Sequence, residues 1–266
     1  MRRLAAFALV PAVTAMLPLL PAAAQGMLRL ASDDWCPFVC ARDGKLNGGF
    51  LVEAAAQALA SQGYHVEPVL MPLSRAIVEA GAGSIEGVYA PPLDARLRDS
   101  VPITWSRACF YTRNDSSWTF QGMPSLQGVK LGVIGDYGYD GGEMDAYVAR
   151  FHADSKRLDF SHGATAGTTN LQKLLGGRYP VMLEHEAVAG YLARLVKAEG
   201  QLRKAGCLPQ ALPLTIGFSQ EDGRTGSWMH ALSDGLKKLE ASGALEKLRQ
   251  QYGVPPNPAS ARSVRP

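Results

Sequence analysis

The same order of elements occurs twice in this 266-residue chain. An apolar run at residues 28–31 precedes a loop that contains Trp35, and apolar residues at helical spacing follow at 51–59. A second apolar run at residues 129–134 likewise precedes a glycine- and tyrosine-rich loop and an amphipathic segment at 143–151. Strand, loop and helix in this order form the first half of a βαβ unit. The sequence therefore predicts an α/β protein with two lobes, whose ligand binds where the strands end.

The N-terminus has the three regions of a signal peptide. Arg2 and Arg3 supply positive charge, residues 4–20 are apolar, and Ala22 and Ala24 form a small-residue cleavage site. We expect cleavage after Ala24 and export to the periplasm. The alternative is a membrane anchor, which the prolines and the cleavage site disfavour. The 27 basic and 24 acidic residues are nearly balanced once Arg2 and Arg3 are removed, so no nucleic-acid binding is expected.

Four cysteines in an exported chain favour disulfides. Cys36 and Cys40 are close enough in sequence to close a small loop, which would stiffen the segment after the first strand. Cys109 and Cys207 remain as a second pair, although sequence alone does not establish a suitable Cα separation. A metal site is the alternative for the CxxxC pair, but it lacks a second pair of ligands at zinc spacing.

Six segments of the chain carry motifs that can be compared with a known family. In chain order they read DDWCPF, NGGFLVEAAAQAL, MPLSRAI, SLQGVKLGVIGDYGYD, LQKLLGGRYPVMLEHEAV and SGALEKLRQQYG. Taken together, they resemble the bacterial extracellular solute-binding proteins of family 3, which are two-lobed periplasmic proteins related to polar amino-acid binders. The chain departs from the family pattern at three positions. Leu73 stands where relatives often carry Trp, Pro180 where many carry Asp, and His185 near the Asp that holds a ligand amine.

The resemblance implies the type II periplasmic binding protein fold, in which each lobe is a mixed sheet flanked by helices and two crossover strands form a hinge. It implies a discontinuous lobe one of residues 25–112 and 214–256, and a lobe two of residues 113–213. Residues 1–24 are the signal peptide, and residues 257–266 are expected to form a flexible tail rich in Pro, Ser and Arg.

Candidate ligand-binding residues follow the predicted strands. Trp35 offers an aromatic face. Arg96, or one of its competitors Arg75 and Arg98, offers a guanidinium that fits a carboxylate. Glu184 or His185 could bind a cationic group. The alternatives are loop packing for the aromatic residues, and an exposed or helix-capping position for the charged ones. The full predicted set is Trp35, Phe38, Arg75, Tyr89, Arg96, Asp136, Tyr137, Tyr139, Glu184 and His185. The sequence motifs assign no catalytic or metal-binding residue.

The resemblance implies a periplasmic solute-binding protein that closes on a small polar, amino-acid-like ligand. Its expected partner is an ABC-type importer permease or a membrane receptor, and it is expected to act as a monomer without a cofactor. Two alternatives remain open. One is a secreted enzyme similar to cyclohexadienyl dehydratases, with Glu184 as the acid, and the other is a periplasmic sensory binding module.

Overall fold

The computed structural model describes residues 26–135, 137–163 and 165–256. Its strands are β1 (Gly26–Ser32), β2 (Cys40–Arg42), β3 (Lys45–Gly48), β4 (Tyr64–Leu70), β5 (Gly87–Tyr89), β6 (Leu97–Asp99), β7 (Thr104–Ser106), β8 (Ala108–Arg113), β9 (Leu131–Ile134), β10 (Leu158–Ser161), β11 (Val181–His185), β12 (Leu202–Cys207), β13 (Leu212–Leu214) and β14 (Ile216–Ser219). Its helices are α1 (Phe50–Ala60), α2 (Leu73–Gly81), α3 (Glu143–Arg150), α4 (Ala166–Leu175), α5 (Glu186–Leu195), α6 (Thr225–Ala241) and α7 (Ala244–Tyr252). The predicted signal peptide, the predicted tail and Asp136 lie outside the described residues.

The first sheet, which we take to define lobe one, has the strand order β4-β1-β5-β14-β6. Strand β1 is parallel to β4 and β5, whereas β14 is antiparallel to β5 and β6. Strand β4 carries Pro68 and lies at the edge of the sheet, as its proline predicts, because proline cannot donate a ladder hydrogen bond. Helices α1 and α6 pack closely, since a Cβ atom at Gly235 would overlap the carbonyl oxygen of Ala58.

The second sheet, which defines lobe two, has the order β10-β9-β11-β8-β12. Strand β9 is parallel to β10 and β11, and β8 is antiparallel to β11 and β12. The sequence placed residues 108–112 in lobe one, whereas the structure pairs them with lobe two. The register explains the difference, because Cys109 lies between Glu184 on one neighbouring strand and Cys207 on the other.

Two crossover strands connect the lobes. The sequence predicts a hinge near Tyr111–Arg113 and Leu214–Gly217, and Leu214 does end one crossover strand, whereas Tyr111–Arg113 belongs to β8 inside the lobe-two sheet. Strand β7 leads from lobe one into β8, strand β13 leads back into β14, and the two strands pair antiparallel. Thr104 lies opposite Leu214, and Ser106 lies opposite Leu212. Because the chain passes through this small sheet in both directions, rotation of the lobes would be concentrated here.

Both predicted disulfides are present. Cys36–Cys40 closes the loop after β1, and Cys109–Cys207 joins β8 to β12 at directly opposed positions. Each lobe therefore carries one covalent link inside its own structure, and the hinge carries neither. Among the residues that the structure describes, no helix is both long and apolar enough to span a membrane.

Candidate ligand-binding site

A cavity of about 390 Å³ lies between the two lobes. Lobe one supplies Asp33 and Trp35 from the loop after β1, while lobe two supplies Tyr137 and His185. The hinge contributes Leu214 at the end of β13. Both lobes and the hinge thus meet at one cavity beside the ends of β1 and β11, which is where open α/β sheets bind ligands.

The loop after β1 holds Trp35 at the cavity wall. The backbone N–H of Trp35 donates to the Val39 carbonyl at 2.7 Å, and the backbone N–H of Val39 donates to the Trp35 carbonyl at 3.1 Å. The Cys36–Cys40 disulfide closes the same turn. Phe38 is fully buried, with its ring centroid 4.7 Å from that of Trp35, and it does not line the cavity. Phe38 is therefore a packing support for Trp35.

Aromatic rings of lobe two face Trp35 across the cavity. The centroid of Trp35 lies 6.0 Å from that of Tyr137 and 5.3 Å from that of His185, and both pairs meet edge-on. Tyr139 is fully buried, lies nearly parallel to the His185 ring, and accepts the Ile134 N–H at 2.8 Å through its hydroxyl oxygen. Tyr137 is therefore a cavity residue, whereas Tyr139 holds the loop in place.

His185 is a neutral, fully hydrogen-bonded imidazole. Its Nε2 lies 3.0 Å from the Gly138 carbonyl oxygen, and its Nδ1 lies 2.8 Å from Ser106 Oγ. A carbonyl only accepts hydrogen bonds, so Nε2 carries the proton and Nδ1 accepts from the Ser106 hydroxyl. Burial lowers the pKa of His185 to about 4. Both ring nitrogens are occupied within the protein, so His185 presents a ring surface to the cavity instead of a charge.

Glu184 precedes His185 on β11 but does not line the cavity. It is fully buried, its Oε1 accepts the His185 backbone N–H at 2.7 Å, and its Oε2 has no hydrogen-bond partner. Burial raises the pKa of Glu184 to about 8, so this carboxyl is protonated at neutral pH. Adjacent strand residues point to opposite faces, and His185 takes the cavity face. The predicted contact between Glu184 and a ligand cation receives no support.

Three carboxylates outside the predicted set line the cavity, namely Asp33, Asp99 and Asp145. Asp33 lies two residues before Trp35 on the same loop, and its position after the first strand could have identified it. Asp99 ends β6, and its Oδ1 accepts the Thr215 hydroxyl at 3.1 Å. Burial raises the pKa of Asp99 above its ordinary value.

Asp145 approaches the cavity from the first turn of α3. Its two carboxylate oxygens accept the backbone N–H groups of Tyr139 at 2.7 Å and Gly141 at 2.8 Å. These bonds fold the preceding loop back onto the helix. No sequence pattern indicated this geometry, because it depends on how the loop turns in three dimensions.

Solved structures share this architecture. A histidine kinase sensor domain with similarity to periplasmic binding proteins has a TM-score of 0.70 and 19% identity, covering 85% of this chain and 95% of that one. An ancestral amino acid-binding protein, a precursor of cyclohexadienyl dehydratase, has a TM-score of 0.66 and 18% identity over 86% and 96% of the two chains. The arginine-bound substrate-binding protein of a Streptococcus pneumoniae amino acid ABC transporter has a TM-score of 0.64 and 18% identity, covering 86% of this chain and 94% of that one.

These matches cover both lobes and the hinge. The chain has the two-lobed periplasmic binding protein fold. The sequence itself matches no protein-family model and no curated protein.

Within this periplasmic binding protein fold, three predicted residues lie away from the cavity. Arg75 pairs with Glu79 on the exposed side of α2, with Nε 3.4 Å from the carboxylate. Arg96 pairs with Asp94 at 2.6 Å. Tyr89 is fully buried, its hydroxyl has no hydrogen-bond partner, and burial raises its pKa. None of the three lines the cavity, so of the predicted residues that the structure describes, Trp35, Tyr137 and His185 come together there.

Proposed function

We propose that this protein is an exported, periplasmic solute-binding protein that closes its lobes on a small, amine-bearing organic molecule. The observation that carries this proposal is the composition of the cavity wall, to which lobe one, lobe two and the hinge all contribute. A ligand that contacts both lobes stabilises the arrangement in which the lobes approach each other. The cavity volume suits a molecule of about the size of an amino acid.

The chemistry of the wall supports an amine on the ligand. Asp33, Asp99 and Asp145 supply carboxylates, and Trp35 and Tyr137 supply ring surfaces. Carboxylates form charge-assisted hydrogen bonds with ammonium groups, and aromatic faces attract cations. The amino acid-binding proteins of the same fold are consistent with such a ligand.

Two partners fit a protein that closes on its ligand. Closure creates one surface from both lobes, which an ABC-type importer permease can distinguish from the open form. The transporter protein from Streptococcus pneumoniae makes an importer our first proposal. The histidine kinase sensor domain supports a signalling role as the second. Ligand uptake by cells with and without this protein distinguishes the two roles. Uptake should depend on the protein if it serves an importer, but not if it serves a signalling receptor.

We propose binding in preference to catalysis. A dehydratase needs an acid within hydrogen-bond reach of the leaving hydroxyl. Glu184 is protonated at neutral pH but does not line the cavity. One neighbour of the same fold is a precursor of cyclohexadienyl dehydratase, so the direct test is incubation with prephenate and arogenate. We expect no product. Measurable turnover would contradict the binding proposal and show that the protein is an enzyme.

A thermal-shift screen tests the binding function. The panel contains amines, amino acids, carboxylates and short peptides, and a ligand at about 100 times its dissociation constant should add roughly 2.7 kcal/mol to the free energy of unfolding. The same ligand should change tryptophan fluorescence, and Trp35→Phe should remove most of that change because Trp35 lines the cavity. A protein that melts cooperatively but responds to no compound would contradict the proposal.

A further inference from the structure

The cavity wall has one sign of charge. Among its described residues, the acidic side chains are Asp33, Asp99 and Asp145, and no lysine or arginine is present. His185 contributes a neutral ring because both of its nitrogens are hydrogen-bonded inside the protein. A ligand carboxylate in this cavity would face carboxylates, and the described wall offers it no lysine or arginine.

Backbone N–H groups at a helix start are the other common means of holding a carboxylate, and at the start of α3 they bind the protein's own carboxylates. The loop before α3 reaches the cavity with Gly141 and Gly142. The Gly141 N–H donates to Asp145 at 2.8 Å, and the Gly142 N–H donates to Asp140 at 2.8 Å. Asp140 also accepts the Met144 N–H at 3.1 Å. The protein's own carboxylates therefore occupy the place where a helix start would bind an anion.

Most of the remaining wall is apolar, apart from the hydroxyl groups of Tyr137 and Thr215, and the Thr215 hydroxyl donates to Asp99. Leu73, Pro91, Leu93 and Leu212 line the cavity together with the Trp35 ring. The four aliphatic side chains can pack against a hydrocarbon segment but cannot hydrogen-bond to a carboxylate, and the indole N–H of Trp35 is a neutral donor without a compensating positive charge. Apolar walls and carboxylates together suit a cation on a short carbon skeleton.

We propose that the cavity binds an organic ammonium ion that lacks a carboxylate, such as the amine formed by decarboxylating an amino acid. The ammonium group lies against Asp99 and the neighbouring carboxylates, and the carbon chain lies against Trp35 and the apolar wall. This inference rests on the proposed binding function and adds the ligand's chemical class. The wall selects against an α-amino acid because its carboxylate would be repelled.

Matched pairs of probes test this selection on the unmodified protein. Calorimetry compares agmatine with arginine, cadaverine with lysine, putrescine with ornithine, and histamine with histidine. We expect at least one amine to bind, and to bind roughly tenfold or more tightly than its parent amino acid. If an amino acid binds as tightly as its amine, or if no amine binds, the inference is overturned.

The two proposals fail in different ways. If no amine binds but another compound in the thermal-shift panel does, the ammonium inference fails and the binding function stands. If nothing in that panel binds, both fail.

A charge-neutralising variant locates the ammonium group. Asp99→Asn keeps an oxygen that can accept the Thr215 hydroxyl, and it should weaken amine binding roughly tenfold or more. Asp115→Asn is the matched control, because Asp115 is exposed, pairs with Arg113 and does not line the cavity. An amine affinity unchanged in Asp99→Asn, in a protein with the parent melting behaviour, would remove Asp99 from the site and overturn this placement.

Discussion

His185 Nδ1 lies 2.8 Å from Ser106 Oγ, so the end of β11 in lobe two is hydrogen-bonded directly to hinge strand β7. The other ring nitrogen of His185 donates to Gly138 on the loop before α3. One neutral imidazole thus joins the hinge, a lobe-two strand and a cavity loop. Protonation would place a donor on both nitrogens, and the bond in which Ser106 donates would be lost.

The first prediction concerns the dependence of stability on pH. The folded pKa of His185 is about 4, below its ordinary value of 6.5, so stability falls as pH drops through this window. The folded pKa of Glu184 is about 8, above its ordinary value of 4.5, so stability falls as pH rises through that window. Each slope is about 1.4 kcal/mol per pH unit. They oppose each other between pH 4.5 and 6.5, and above pH 6.5 the Glu184 slope remains.

Urea unfolding between pH 5 and 8.5 measures how the free energy of unfolding depends on pH. We expect Glu184→Gln to lack the part of the alkaline decline that Glu184 causes. Glu186→Gln should retain it, because Glu186 is a partly exposed carboxylate that pairs with Lys204. Equal slopes in the parent and in Glu184→Gln above pH 6.5 would show that Glu184 is ionised in the folded protein.

The second prediction separates two aromatic residues of one loop. Trp35→Ala should weaken ligand binding by about 1–2 kcal/mol, because it removes an aromatic face of the cavity. Phe38→Ala should instead lower the free energy of unfolding by about 3–5 kcal/mol, because Phe38 is fully buried. Calorimetry and urea unfolding of both variants check the two effects. Loss of binding without loss of stability in Phe38→Ala would place Phe38 in the site.

The third prediction concerns Arg96. Its guanidinium pairs with Asp94 outside the cavity, so Arg96→Ala should leave the dissociation constant of the ligand unchanged. The sequence predicts a carboxylate-binding arginine at this position. Titration of Arg96→Ala beside the parent decides between the two, and a large loss of affinity would restore the sequence-based role.

The fourth prediction compares the disulfides. Cys36 and Cys40 are separated by 4 positions, and Cys109 and Cys207 by 98. Chain entropy predicts that removing the short link costs about 2 kcal/mol of stability and removing the long link about 5 kcal/mol. Unfolding of the two double Cys→Ala variants tests this order. The short link should have the larger effect on ligand affinity, because its turn carries Trp35.

The fifth prediction concerns export. Periplasmic protein should begin at Gln25, because Ala22 and Ala24 form the small-residue site that follows the apolar region. Mass spectrometry of the intact periplasmic protein measures this end directly. A periplasmic form that retains Met1 would contradict cleavage.

Local pattern predicted the helices but missed several strands, namely β6, β7, β12 and the hairpin of β2 and β3. The α1 face and the edge position of β4 follow from helical spacing and from Pro68. The sequence pattern predicts a loop where the structure has the hairpin of β2 and β3, although Asp43-Gly44 at its turn is a typical hairpin signal. Both turn residues have positive φ, 53° for Asp43 and 73° for Gly44. The strands are short and polar, so their alternation carries little information.

Site residues were predictable from the sequence where they directly follow a strand. They were not predictable where pairing with a strand that is distant in sequence positions them. Trp35 belongs to the first kind. Asp99 lines the cavity because β6 pairs with β14, which lies more than a hundred residues later in the chain. Arg96 lies close in sequence to the place where a carboxylate-binding arginine is expected. Its guanidinium pairs with Asp94 instead of lining the cavity, and the sequence does not show which way the side chain turns.

The position of β14 has a consequence for how the chain is completed. This strand comes from the C-terminal part of the protein, yet it lies between β5 and β6 in the lobe-one sheet. Lobe two runs without interruption from β8 to β12. A chain that is translocated from its N-terminus can therefore finish lobe two while lobe one still lacks an internal strand. Until residues 216–219 arrive, β5 is an open edge that can pair with a strand of another molecule, so truncation before Ile216 should yield an aggregating protein.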